Sequence, residues 1–164
     1  MSEIRNNIRI VRETIAEAAL RTGRKASDVR LMAVTKTVDD ERIMEAIDCG
    51  VDIIGENYVQ EAKRKIEKMG KKVEWHMIGY LQSNKAKYAV RIFDMIHSVD
   101  RTSLARELDR RARAADRPMK ILIEVNLSGE ATKSGVRRED IPALLRELSA
   151  LDYLSVQGLM TMAP

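Results

Sequence analysis

Lys36 closes the first apolar run of this 164-residue chain, Leu31-Met-Ala-Val-Thr-Lys-Thr37, and so stands at the rim of a sheet rather than on a solvated helix. A rigid, largely apolar segment disfavours the ammonium form by desolvation, and a neutral amine condenses with an aldehyde as a Schiff base. Taken by itself the segment favours a plainer reading, a strand-end lysine that snorkels to water. Other blocks of the chain reverse that balance. His76 lies between Trp75 and Met77 on a strand pattern, which fits a satisfied core histidine better than a ligand, and His97 reads the same way. Neither has a Cys, Asp or Glu partner at metal-ligand spacing, so no metal site is expected. Cys49, the single cysteine, sits in an apolar helical stretch before Gly50 and reads as an inert thiol. It excludes an intrachain disulfide and fits a reducing compartment.

These residues need elements to hold them. Ile4, Ile8, Val11, Ile15 and Ala18 recur at helical spacing, with Gly23 available to end an opening amphipathic helix. Six β-rich runs follow, at 31–35, 51–55, 73–79, 95–99, 119–127 and 154–160. Between them lie amphipathic stretches, among them 40–49 with Ile43, Met44 and Ile47, and 103–115 with Leu104 and Leu108. The alternation predicts βα units in a parallel sheet, either an open doubly wound sheet or a closed (β/α)8 barrel. No Gly-x-Gly-x-x-Gly or Gly-Lys-Ser/Thr loop follows the first strand, which weakens the nucleotide-binding versions of the open sheet. In a barrel, functional groups sit on the loops after the strands, where Lys36, Glu56-Asn57, 79–85, 98–100 and 126–135 fall.

Composition narrows the partners. Hydrophobic residues at 45% and charged residues at 33% describe an ordinary globular chain of one domain, residues 1–164. The net charge is +4, but the signs interleave, as in Glu61-Ala-Lys-Arg-Lys-Ile-Glu-Lys68, which reads as a solvated face. With six aromatic residues for base stacking, nucleic-acid binding is not expected. The N-terminus lacks the apolar core of a signal peptide and no run reaches membrane-spanning length, so a cytoplasmic protein without a membrane partner is expected.

Five blocks appear in fixed order: Ala33-Val-Thr-Lys-Thr37, Gly55-Glu-Asn-Tyr-Val-Gln-Glu61, His76-Met-Ile-Gly-Tyr-Leu-Gln-Ser-Asn-Lys85, Glu124-Val-Asn-Leu-Ser128 with Lys133-Ser-Gly135, and Gly158-Leu-Met-Thr-Met-Ala-Pro164. Together they closely resemble the pyridoxal-phosphate homeostasis proteins, also called proline synthase co-transcribed homologues, over almost the whole chain. The resemblance implies a single (β/α)8 TIM-type barrel, similar to the N-terminal domain of alanine racemase, with an extra N-terminal helix. It also implies pyridoxal 5'-phosphate as cofactor, carried as an imine on Lys36, in cofactor homeostasis without catalytic turnover. The alternatives are a pyridoxal-phosphate-dependent amino-acid racemase and a barrel enzyme that uses Lys36 directly on a carbonyl substrate. Racemisation needs acid and base groups on both faces of the substrate carbon. In alanine racemases one of these is a tyrosine from a second β-domain, which has no counterpart here.

The remaining cofactor-binding candidates carry two readings each. Asn57 orients the cofactor ring or its phenolic oxygen, or makes an ordinary Asx turn. Asn126 ends a strongly apolar strand, where a buried amide needs partners, and is a pocket candidate. Met162 matches the position of a ring-stacking histidine in racemases and packs on the pyridine ring, or is plain core. Gln82, Asn84 and Lys85 read as a polar turn opening a helix, next to the site or at an interface. The chain departs from the family by ending just after the sixth strand, whereas complete barrels take about 250 residues. Six βα units are therefore expected, without the C-terminal segments that cradle the phosphate in the family, and with open strand edges prone to self-association.

Overall fold

The computed structural model describes residues 2–130 and 134–162. Ser2 opens α1 (Glu3–Arg21) by accepting from the Arg5 N–H at 3.3 Å, which satisfies one of the donors a helix N-terminus leaves bare. Ile4 and Ile8 of α1 pack against the core. The chain then alternates β1 (Met32–Val34), α2 (Asp40–Asp48), β2 (Ile53–Glu56), α3 (Val59–Met69), β3 (Glu74–Met77), α4 (Ala86–Ile92), β4 (Met95–Val99), α5 (Thr102–Ala114) and β5 (Met119–Asn126). A two-residue strand, β6 (Val136–Arg137), precedes α6 (Ile141–Leu148) and β7 (Leu154–Met160). All six runs read from the sequence are strands. The extra one, β6, is too short to show a period and forms by pairing with the end of β5.

Every pairing is parallel, and the long strands lie in chain order, β1 to β5 and then β7 beside β5. A doubly wound sheet reverses its strand order at a switch point; the described strands never do, and this is the wall of a barrel. One face of the sheet carries Ile54, Trp75, Ile96 and Ile121, all fully buried under the helices. Ala62, Ala86, Ala89, Ala105 and Ala112 are also fully buried and let the helices approach closely. Each fully buried Ile or Leu in this layer contributes roughly 1.5–3 kcal/mol.

The other face is the concave interior. Strand parity places Met32 and Val34, Gly55, His76, Met95 and His97, and Leu122 and Glu124 there. At Gly55 a Cβ would stand 2.6 Å from Met32 Sδ, so glycine makes room for the thioether. β1 pairs only with β2, and β7 only with β5, among the described residues.

Candidate functional site

β1 ends at Val34, so Lys36 lies in the turn beyond the strand. The Thr35 N–H still reaches the Gly55 carbonyl at 3.0 Å, and the Val38 N–H closes onto the Thr35 carbonyl at 3.0 Å. Lys36 and Thr37 are thus the two central residues of a β-turn at the C-terminal rim of the barrel wall. The side chain of Lys36 is exposed, so the desolvation expected of the apolar segment is absent here: the turn lifts the amine clear of it. Thr37 has φ of 62°, a left-handed conformation uncommon for a β-branched residue.

Beneath this turn lies an ionic cluster. Lys65 of α3 is fully buried, and its Nζ donates to the Thr35 carbonyl at 2.6 Å, to Glu56 Oε1 at 2.6 Å and to Glu61 Oε1 at 2.7 Å. The Thr35 hydroxyl donates to the same Glu56 oxygen at 2.5 Å, and the Thr37 N–H donates to Glu61 Oε1 at 3.0 Å. The hydrogen bond from Lys65, helped by that of Thr37, holds the Glu61 carboxyl below its usual range against the opposing effect of burial. The run 61–68 is therefore not simply a solvated face. Lys65 falls on the stripe of Val59 and Ala62, a spacing that was legible in the sequence.

Asn57 follows β2 and is half-buried. A Cβ at Gly79 would stand 2.5 Å from the Asn57 carbonyl oxygen and 2.9 Å from its Cβ, so the turn after β3 has glycine where Asn57 occupies the space. Asn57 lines a cleft of about 460 Å³ with Tyr58, Gln60, Tyr80, Gln82 and Lys85. Gln82 and Lys85 of the polar turn 82–85 thus share this cleft with Asn57.

Asn126 ends β5. It is half-buried, and its amide serves its own loop: Nδ2 donates to the Glu130 carbonyl at 2.8 Å, while Oδ1 accepts from Ser128 Oγ and the Gly129 N–H, both at 3.1 Å. This is the Asx geometry that short amides favour after a strand. Asn126 lines a separate cavity of about 670 Å³ with Arg137 and Arg138. Met162 is 70% exposed, so it is neither core nor packed on the inner face. Lys133, Ala163 and Pro164 of the quoted blocks lie outside the described residues.

Two groups escaped the sequence reading. His76 and His97, each read as solitary, meet on the inner face: His76 Nδ1 lies 3.0 Å from His97 Nε2, and His76 Nε2 lies 3.1 Å from Glu74 Oε2. Their pairing follows from strand register, which no single strand reveals. Burial and then the neighbouring His76 push His97 down to about 4, and burial lowers His76 against the opposing pull of Glu74. Glu124 is buried on the same face, where burial and then Asp100 raise its carboxyl. No group of three or more His, Cys, Asp or Glu able to hold a metal occurs among the described residues.

A parallel wall in chain order, with an amine on its C-terminal rim, defines a class that the comparisons specify. The family described as "Alanine racemase, N-terminal domain" matches residues 1–164. The chain is 39% identical to the pyridoxal phosphate homeostasis protein of Vibrio alginolyticus, over 98% of this chain and 71% of that protein. A crystal structure of an unknown protein from Bifidobacterium adolescentis superposes with a TM-score of 0.92 at 39% identity, covering 98% of this chain and 70% of the other. PipY of Synechococcus elongatus with PLP bound gives 0.78 at 42% identity, covering 92% and 71%. The chain belongs to the pyridoxal phosphate homeostasis protein family.

Proposed function

We propose that this chain binds pyridoxal 5'-phosphate through the Lys36 amine and holds it, without turnover, in the homeostasis of that cofactor. The observation that carries the reading is the placement of Lys36, an exposed primary amine at the C-terminal rim in a turn fixed from below. The relative with PLP bound, at 42% identity, supports it. The bound cofactor supplies an aldehyde carbon able to form a reversible covalent link to an amine.

The residues present fit such a ligand. Lys36 offers the amine at the rim of the wall, whose inner face carries Met32, Val34, Met95 and Leu122 as apolar surface for a flat ring beside the polar His76, His97 and Glu124. Asn57, packed against Gly79 and lining the cleft after β2, would offer its amide as a donor to an oxygen on the ring. Met162, two residues beyond β7 and exposed, is available to cover a ring from that side. Asn126 contributes by stapling the 126–130 loop. We assign residues 1–164 to one domain working in the cytoplasm on a small molecule. Among the described residues, no helix is long and apolar enough to cross a membrane.

Borohydride trapping with peptide mapping tests the reading. With pyridoxal phosphate, the wild-type chain is expected to carry a reducible adduct at Lys36, and Lys36→Ala to lose it while keeping its circular dichroism spectrum and urea midpoint. A pure amino-acid enantiomer incubated with the loaded chain should neither racemise nor decarboxylate above the free-cofactor background. An adduct on Lys85 instead would refute the assignment, and Lys36-dependent turnover would replace the carrier reading with an enzyme.

A further inference from the structure

The ionic cluster under the rim does more than bury a lysine. A buried ion pair is weak evidence for stability, because desolvation of both charges offsets their attraction and an apolar isostere often does as well. This cluster carries a further cost, since Glu56 Oε2 is buried without a hydrogen-bond partner. What it achieves is local. Thr35 is held through its carbonyl by Lys65 and through its hydroxyl by Glu56, and Thr37 is held through its N–H by Glu61. Lys36, between them, is gripped at both flanking residues while its own side chain stays free.

The left-handed backbone at Thr37 fits the same account. A β-branched residue in that conformation is strained and persists only when its surroundings over-determine it. The bond from Thr37 N–H to Glu61, itself anchored by Lys65, supplies that constraint.

We propose that Glu61 and Lys65, with Glu56, are positioning residues that aim the Lys36 amine by clamping the two residues on either side of it. The proposal rests on the reading of Lys36 as the adduct-forming residue. The device gives a reactive amine a fixed origin without lending it a hydrogen-bond partner that would compete for its lone pair.

The test compares wild-type chain, Glu61→Ala and Glu61→Gln, with Lys65→Arg as a variant that keeps the buried charge. Glu61 is partly exposed, so its variants are expected to fold. Without cofactor, hydrogen exchange of the 35–38 amides is followed by NMR; with pyridoxal phosphate, the Lys36 adduct is titrated by absorbance and trapping. Glu61→Ala should speed exchange at Thr37 and Val38 by about tenfold and weaken the adduct equilibrium by a similar factor, leaving β3–β5 exchange unchanged. Glu61→Gln, whose amide oxygen still accepts from Thr37, should recover most of both, and Lys65→Arg should behave as Glu61→Ala because its fork misfits three acceptors set for an ammonium.

Unchanged exchange in Glu61→Ala overturns the clamp. A loosened turn with an unaltered adduct equilibrium, or a glutamine variant no better than alanine, overturns its role in aiming. A uniform loss across all peptides would mark general destabilisation and also refute the proposal. A wild-type chain with no Lys36 adduct would sink the functional reading and the aiming role with it, while the exchange measurements still decide whether the clamp exists.

Discussion

Around Lys36 the amine proposed to react is distinct from the groups that hold its turn. The position of Lys36 just past a strand end was legible, because an apolar run closes there. Its holders were less so. Lys65 sits in a run of alternating charges, where its spacing from Val59 and Ala62 is the one sequence signal, and contacts with Thr35 and Glu56, from segments 30 and 9 residues away, show what its buried charge pairs with. Thr37 was silent, since a left-handed backbone leaves no mark on a threonine. That conformation supports a residue-scale prediction. Thr37→Asn keeps the N–H to Glu61 and substitutes a residue that tolerates φ of 62°, so it should raise stability by roughly 0.5–1 kcal/mol, read as a higher urea midpoint with an unchanged slope.

At the scale of elements, β3 and β4 bring two imidazoles together on the inner face. The bond between them requires one neutral ring to accept, and the folded chain keeps His97 neutral down to about 4. In the unfolded chain an imidazole titrates near 6.5. Between those values the unfolded chain takes up a proton that the folded chain refuses, so stability is full at neutral pH and falls as the solution is acidified through this window. His76, lowered by burial although Glu74 and Asp94 pull it upward and Arg30 pushes it down, adds in the same direction. Urea midpoints should therefore drop between about pH 7 and about pH 5, where carboxylates are still largely ionised, and the drop should shrink in His97→Gln. The strands themselves were readable from their apolar runs. Their register was not, because a strand's pattern states which residues share a face but not which residue of the next strand stands opposite.

At the scale of the whole molecule, the sheet presents lateral edges at β1, at β7 and at the two-residue β6 among the described residues. Val34 on β1 is 49% exposed, and on β7 Val156 is 37% and Leu159 59% exposed. Exposed apolar edge strands recruit other strands, and charge on them is the usual remedy. Sedimentation of residues 1–164 should accordingly show concentration-dependent association, reduced by Val34→Lys together with Leu159→Lys. A monodisperse monomer at high concentration would contradict it. Periodicity alone left a choice between two parallel architectures; the resemblance carried by the five blocks implied the barrel, and the absence of any strand-order reversal among the described strands bears that out.

The burial of Lys65 also makes the chain its own gauge of unfolding. Amine-directed reagents reach Lys36, which is exposed, at once, whereas Lys65 has no accessible surface in the folded chain. Pulse labelling across a denaturant series, with the two lysines resolved by mass spectrometry, would report from one molecule both the availability of the rim amine and the fraction of chains whose interior has opened. The Lys65 signal should rise with global unfolding while the Lys36 signal is already near its limit in buffer.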